Sequence, residues 1–137
     1  MRCVSVAATA LLLTAVACRR TKPGSYVSGV RLDVSEAVIA AAKADTFKIG
    51  NVKNGETILK EFLLHNAGSQ PFVFNVKSDC GCVVSRFEQK PVMPDESAQI
   101  TISFDSRGYH GCVFKRVEIL TTLDPKPLTI WLNAVVD

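Results

Sequence analysis

A chain of 137 residues, 47% of them apolar, is long enough for one folded domain and too short for two, because small domains bury their surface inefficiently. Its 16 basic and 13 acidic residues give a formal net charge of only +3 and are scattered along the sequence. This balance argues against a nucleic-acid-binding protein. We therefore expect a single domain with no nucleic-acid partner.

The N-terminus has the pattern of an export signal. Met1 and Arg2 precede an uncharged run of 15 residues, 3–17, which is rich in Ala, Val and Leu and ends in small residues. The run is shorter than the roughly 20 residues that a helix needs to cross a bilayer, and basic residues follow it at once. The sequence predicts a signal peptide over residues 1–17 and no permanent membrane span.

The end of this signal, "AVAC" at residues 15–18, resembles a bacterial lipobox. In such a site the signal is cut before a cysteine that carries lipid. "AVA" alone also fits ordinary secretory cleavage, and Ala15 stands where a lipobox usually has leucine. The lipid interpretation is favoured because it requires a cysteine where Cys18 lies. We expect Cys18 to anchor the protein to a membrane of the bacterial cell envelope, at the outer membrane or facing the periplasm.

Residues 18–44 are predicted to form a lipid-anchored tether that leads to a domain over residues 45–137. The first part is polar and contains Pro23, Gly24 and Gly29, which interrupt regular structure. A short helix is predicted within residues 33–44, because Ser35 can cap it and Glu36 lies in its first turn.

From residue 45 onward the pattern is that of β-strands. In "TFKIG", Phe47 and Ile49 share one face, and Asn54-Gly55 predicts a tight hairpin after it. The segments "TILKEFLLHN", "PFVFNVK", "SAQITISFD" and "LTIWLNAVV" follow as strands. In "CVFKRVEILTT" the apolar positions do not keep one register, which suggests a bulge. Six or seven short strands without helices between them predict an all-β sandwich.

The segments "FKIGNVKNGETILKEFLLHNAGSQPFVFNVKSDCGCVV" and "KPVMPDESAQITISFDSRGYHG" resemble the bacterial envelope family called domain of unknown function 1573. That family is related to the immunoglobulin-like domains of the ASPM, SPD-2 and Hydin class. The resemblance implies an antiparallel immunoglobulin-like sandwich of about seven strands, common in lipoproteins and without an established catalytic activity. Asp79 and Cys112 depart from the family pattern, so Cys112 inherits no role. The matching positions are Phe47, Gly50, Gly55, Phe62, Asn66, Gly68, Pro71, Cys80, Gly81, Cys82, Pro91, Pro94, Phe104, Asp105, Gly108 and Gly111.

The triplet Cys80-Gly81-Cys82 allows three interpretations. In an extended strand the two sulfurs face the same side and can bind copper or zinc, with Cys112 and His110 as further ligands. A disulfide can join Cys80 to Cys82 if the chain bends, or join one of them to Cys112. The third interpretation is a turn in which Gly81 takes a backbone angle forbidden to other residues and both cysteines are small buried hydrophobes.

No catalytic motif accompanies these cysteines, so we expect neither an enzyme nor a cofactor, and no small-molecule substrate is evident. The sequence favours an accessory or protein-interaction module whose partner is another protein of the envelope. Contact is expected at an exposed strand edge or at the loop that carries Arg107, Tyr109 and His110. The alternative is a thiol redox or soft-metal protein that uses the cysteine triplet.

Overall fold

The computed structural model describes residues 29–42 and 44–137, so the predicted signal peptide, Cys18 and most of the predicted tether lie outside the described residues. Within those residues no helix is long and apolar enough to cross a membrane. The elements in chain order are β1 Val30–Val34, α1 Glu36–Ala40, β2 Asp45–Val52, β3 Thr57–Asn66, β4 Phe74–Ser78, β5 Val83–Phe87, β6 Ser97–Asp105, β7 Gly111–Thr121 and β8 Leu128–Val136.

Two four-stranded sheets pack face to face, which confirms the predicted all-β sandwich. One sheet has the strand order β1-β3-β6-β5 and the other has the order β2-β8-β7-β4. Most neighbours are antiparallel, but β1 runs parallel to β3 and β2 runs parallel to β8. Each sheet therefore ends in one parallel edge strand, a feature that the sequence pattern did not reveal.

The core lies between the inner faces of the two sheets and follows the alternation of the sequence. In β6 the inward side chains Ile100, Ile102 and Phe104 are buried, while the residues between them face outward. In β8 every second residue from Leu128 to Ala134 is buried, as predicted. In such strictly alternating segments the sequence predicts which side chains are buried, because only one register buries all the apolar ones.

The sandwich begins at Val30 and not at residue 45. Strand β1 pairs with β3, and its Leu32 and Val34 are buried in the core together with Ile39 of α1. The predicted helix is present but short, and the side chain of Ser35 caps it by accepting a hydrogen bond from the N–H of Val38. Part of the predicted tether thus belongs to the folded domain.

The Asn54-Gly55 turn is present, but it does not form a hairpin between paired strands. The N–H of Glu56 donates to the carbonyl of Lys53, and Gly55 has a φ of +89°. Asn54 does not have a positive φ, whereas Gly55 does. This combination resembles a type II turn, which needs glycine only at its third position. It carries the chain from one sheet to the other, because β2 pairs with β8 and β3 with β6.

Strand β7 does not contain the predicted bulge. A register shift is found in β2, where none was predicted. The pairing of β7 with β8 is continuous, whereas the register of β2 shifts between Lys48 and Gly50. The mixed pattern of β7 has another cause: its outward side chains include the apolar residues Cys112 and Phe114. Lys115 lies on the inward side of β7 between Val113 and Val117.

Candidate functional site

The cysteine triplet lies in a short connection that we call the cysteine loop, residues 79–82. It joins β4 of one sheet to β5 of the other, at the end of the sandwich that also carries the Asn54-Gly55 turn. A disulfide joins Cys80 to Cys82, and their Cα atoms are 5.3 Å apart. This separation is shorter than that of alternate residues in a flat strand, so the loop is bent between the two cysteines. Both side chains are half-buried against the core.

Hydrogen bonds fix the backbone of the cysteine loop on both sides. The N–H of Asp79 donates to the carbonyl of Arg116 in β7, and the N–H of Asp105 in β6 donates to the carbonyl of Cys82. The carbonyl of Cys80 accepts from the hydroxyl of Ser78 at 3.0 Å and from the N–H of Val83 at 3.3 Å. The loop is therefore attached to both sheets independently of its disulfide.

Gly81 does not have the conformation predicted for it. Its φ is not among the positive values, in contrast to Gly55 and three other glycines of the described chain. A Cβ atom built on Gly81 meets no other atom within 4 Å. A turn is present, because the N–H of Val83 donates to the carbonyl of Cys80, but it does not need glycine and its cysteines are bridged, so these two parts of the third interpretation are wrong. The bend is made without a positive φ at any residue of the cysteine loop.

Cys112 does not reach the cysteine loop. It is an exposed free thiol near the start of β7, whereas the loop bonds to Arg116, four residues further along the same strand. At about 3.3 Å per residue, Cys112 lies roughly 13 Å from Arg116 along β7. The proposed bridge to Cys112 is therefore absent, and residues 29–42 and 44–137 contain no group of three or more potential metal ligands.

The loop predicted to make contacts is only partly exposed. Tyr109 is half-buried, its ring lies 5.9 Å from that of Phe104, and the Nζ of Lys115 lies 4.2 Å from its centre. Arg107 is exposed and pairs with Asp105, while Nε2 of His110 lies 3.4 Å from the Nδ2 of Asn54. The aromatic side chain thus packs inward against the core and is not available at the tip of the loop.

Strand β7 has an exposed edge, a feature that the sequence predicts without indicating which strand carries it. Strand β4 pairs with β7 from Val117 to Thr121 only, so no described strand pairs with the residues before Arg116 on that side. The N–H and the C=O group of Arg116 both bond to Asp79 and therefore point to the same side of the strand. Because bonding sides alternate along an antiparallel strand, the N–H and C=O groups of Cys112 and Phe114 face the same open side. We call residues 111–115 the open edge of β7.

Apolar side chains adjoin this open edge on the outer face of the sheet. Phe114 is 54% exposed, and Cys112 lies opposite Val135, which is 36% exposed. Trp131 continues the same face opposite Arg116. Exposed aromatic and aliphatic groups next to unpaired backbone groups are typical of surfaces that accept a further strand.

An exposed ion pair between Glu88 and Lys90 has shifted pKa values. The hydrogen bond from Lys90 lowers the pKa of the Glu88 carboxyl, and Glu88 correspondingly raises the pKa of Lys90. This exposed pair follows β5, at the opposite end of the sandwich from the cysteine loop. It is a surface ion pair, and such pairs add little to stability.

These features define an immunoglobulin-like β-sandwich domain with a bridged cysteine loop at one end. The family model described as protein of unknown function (DUF1573) matches residues 40–136. Because this match covers more than half of the chain, the chain belongs to that family, as its sequence resemblance predicted. No curated protein sequence matches the chain.

Solved structures share the fold at low sequence identity. A protein of unknown function from Porphyromonas gingivalis W83 is 17% identical with a TM-score of 0.57, over 69% of this chain and 48% of that one. The PapD-like domain 7 of human CEP192 is 15% identical with a TM-score of 0.53, over 69% of this chain and 82% of that domain. A family 123 glycoside hydrolase from Clostridium perfringens is 8% identical with a TM-score of 0.59, over 75% of this chain but 25% of the enzyme. The chain thus spans about half or less of two of these structures.

Proposed function

We propose that the protein is a non-catalytic accessory domain of the bacterial cell envelope that binds a partner protein. A lipid on Cys18 holds it at the membrane, and an extended segment of the partner adds as a strand beside β7. The observation that carries this proposal is the open edge of β7, where the backbone groups of Cys112 and Phe114 face outward beside an exposed aromatic ring.

Strand addition satisfies both the polar and the apolar parts of this surface. An added segment gives hydrogen-bond partners to the free N–H and C=O groups of Cys112 and Phe114, each bond contributing about 0.5–1.5 kcal/mol net. The side chains of the segment alternate, so every second one lies beside Cys112 and Phe114 on the outer face. Aromatic side chains that become covered at the centre of an interface carry much of its binding energy.

The chemistry of the partner follows from this geometry. It contains a short extended segment with β-branched or aromatic residues at alternate positions and no proline at the positions that donate to β7. Only residues 111–115 are open, because Asp79 occupies the next position along the edge. The added strand is therefore about five residues long, and binding through it alone is weak unless both proteins are held at the same membrane.

A pair of matched variants tests this proposal. Phe114→Lys places a charge on the open edge, and Leu59→Lys makes the same change at a side chain that is 65% exposed on the outer face of the other sheet. Each lipoprotein is cross-linked in living cells, purified from gently solubilised envelopes and compared with the unmodified protein. We expect one or more partners to be captured by the unmodified protein and by Leu59→Lys, and to be lost with Phe114→Lys. Equal capture by both variants contradicts strand addition at β7.

The lipid anchor has its own test, since Cys18 lies outside the described residues. Cells that produce the protein are grown with labelled fatty acid, and the mature chain is expected to carry the label and to fractionate with membranes. Cys18→Ala is expected to abolish the label. An unlabelled mature chain in the soluble envelope fraction contradicts the anchor but leaves the β7 surface as a separate proposal.

A further inference from the structure

The disulfide of the cysteine loop makes little contribution as a structural cross-link. It closes a loop of three residues, and a disulfide restricts the unfolded chain less as the loop becomes shorter. It also joins no elements that are otherwise separate, because Asp79 is bonded to β7 and Cys82 to β6 through the backbone. Stabilisation of the fold therefore does not account for the bridge.

The same hydrogen bonds keep the two sulfur atoms near each other when the bridge is open. The carbonyl of Cys80 accepts from Ser78 and Val83, the carbonyl of Cys82 accepts from Asp105, and the Ser78 hydroxyl also donates to the carbonyl of Val83 at 2.9 Å. These bonds involve no sulfur. A reduced pair held in this way can close again without refolding, which is the requirement for reversible exchange.

Gly81 leaves the bridge accessible from outside. Its conformation does not require glycine, and a Cβ at this position would project into open space. Both cysteine side chains are only half-buried, with the core on one side. A sulfur atom of another protein therefore has room to approach over Gly81. Neither backbone conformation nor internal packing requires glycine here, and a side chain longer than that of alanine would extend into the open space outside the loop.

We propose that Cys80 and Cys82 form an exchangeable disulfide that accepts two electrons from a dithiol protein. A thiolate of that protein attacks one bridging sulfur, the bond between Cys80 and Cys82 breaks, and the electron pair remains on the released sulfur, which takes up a proton. The second thiol of the partner then loses its proton and attacks the mixed disulfide, which releases the remaining cysteine as a thiolate that is protonated in turn. The partner leaves as a disulfide, and the pair is left as two thiols.

This inference goes beyond the proposed function and uses different residues, because the open edge of β7 has no part in the exchange.

The full-length protein with Cys112→Ser, which removes the exposed free thiol, is purified in detergent and equilibrated in glutathione buffers of increasing reducing strength. Alkylation followed by peptide mass spectrometry reports Cys80 and Cys82 alone. We expect complete, reversible opening with an unchanged circular dichroism spectrum. A bridge that resists all these buffers, or whose opening unfolds the domain, contradicts the proposal.

The role of Gly81 is tested by rates. Gly81→Leu is expected to slow reduction by reduced thioredoxin, a protein dithiol, at least about tenfold, while reduction by the small dithiol dithiothreitol changes little. Gly81→Ala should resemble the unmodified protein, because its methyl group has no neighbour within 4 Å. Gln89→Leu, an exposed loop position at the other end of the sandwich, is the control for an added apolar side chain. Equal rates with thioredoxin for Gly81→Leu and Gln89→Leu contradict a role for Gly81 in access.

Discussion

At the scale of single residues, Asn66 organises the end of the sandwich opposite the cysteine loop. Its buried side chain donates to the carbonyls of Gln70 and Val92 and accepts from the N–H of Gly68 at 3.0 Å. The sequence marks Asn66 only as a position shared with the family, and its role emerges from segments far apart in the chain. A polar residue within a predicted strand can be exposed to solvent or can be a buried residue that bonds to several backbone groups. The local sequence does not distinguish these two cases.

Replacement of Asn66 is expected to be costly. Asn66→Ala removes three side-chain hydrogen bonds to backbone groups, one of them buried and two part-buried, so the free energy of unfolding should fall by about 2–3 kcal/mol. Asn75→Ala is the matched control, because the Asn75 side chain is exposed and bonds only to the adjacent N–H of Val76. Urea denaturation of both variants measures the difference. Equal midpoints for the two variants would show that the hydrogen bonds of Asn66 are dispensable.

At the scale of elements, β7 separates what the sequence predicts well from what it does not. Segments with strict alternation, such as β6 and β8, are predicted with the bounds observed, because a single register buries their apolar side chains. Strand β7 carries apolar residues on both faces, and this pattern predicts a bulge. The structure keeps one regular register and leaves Phe114 exposed. Local pattern alone does not distinguish a bulge from an apolar outer face.

This register of β7 predicts two unequal effects on stability. Ile119 faces the core and is fully buried, so Ile119→Ala should lower the free energy of unfolding by about 2–5 kcal/mol. Phe114 faces outward, so Phe114→Ala should change it by no more than about 0.5 kcal/mol. Thermal or urea unfolding of the two variants gives the comparison. A larger loss for Phe114→Ala than for Ile119→Ala would refute the register.

At the scale of the whole molecule, the sequence predicts the sandwich but not its beginning or its connections. Strand β1 is short and follows a segment rich in Gly, so it resembled part of a tether. The sequence predicts the Asn54-Gly55 turn, but a turn specifies only its own backbone and not which sheet each flanking strand joins. The candidate site is similar: the cysteines were visible in the sequence, whereas the open edge of β7 depends on where β4 ends.

The position of β1 and α1 within the core gives a test of the domain boundary. A chain that begins at residue 45 lacks three buried side chains, those of Leu32, Val34 and Ile39. At about 1.5–3 kcal/mol each, their loss approaches the total stability of a typical domain. It also uncovers one edge of β3. We expect this shortened chain to be unfolded or aggregated by circular dichroism and size-exclusion chromatography. A melting temperature equal to that of the full chain would instead support a domain that starts at residue 45.

The central claim is that a partner strand adds to β7, and site-specific photo-cross-linking tests it most directly. A photoreactive amino acid is placed at position 114 or, for comparison, at position 59 on the other sheet, which is also exposed. After illumination of intact cells, the account predicts a discrete adduct from position 114 whose cross-linked peptide is an extended segment of one protein, and none from position 59. The absence of an adduct at 114, or identical adducts from both positions, would contradict the claim.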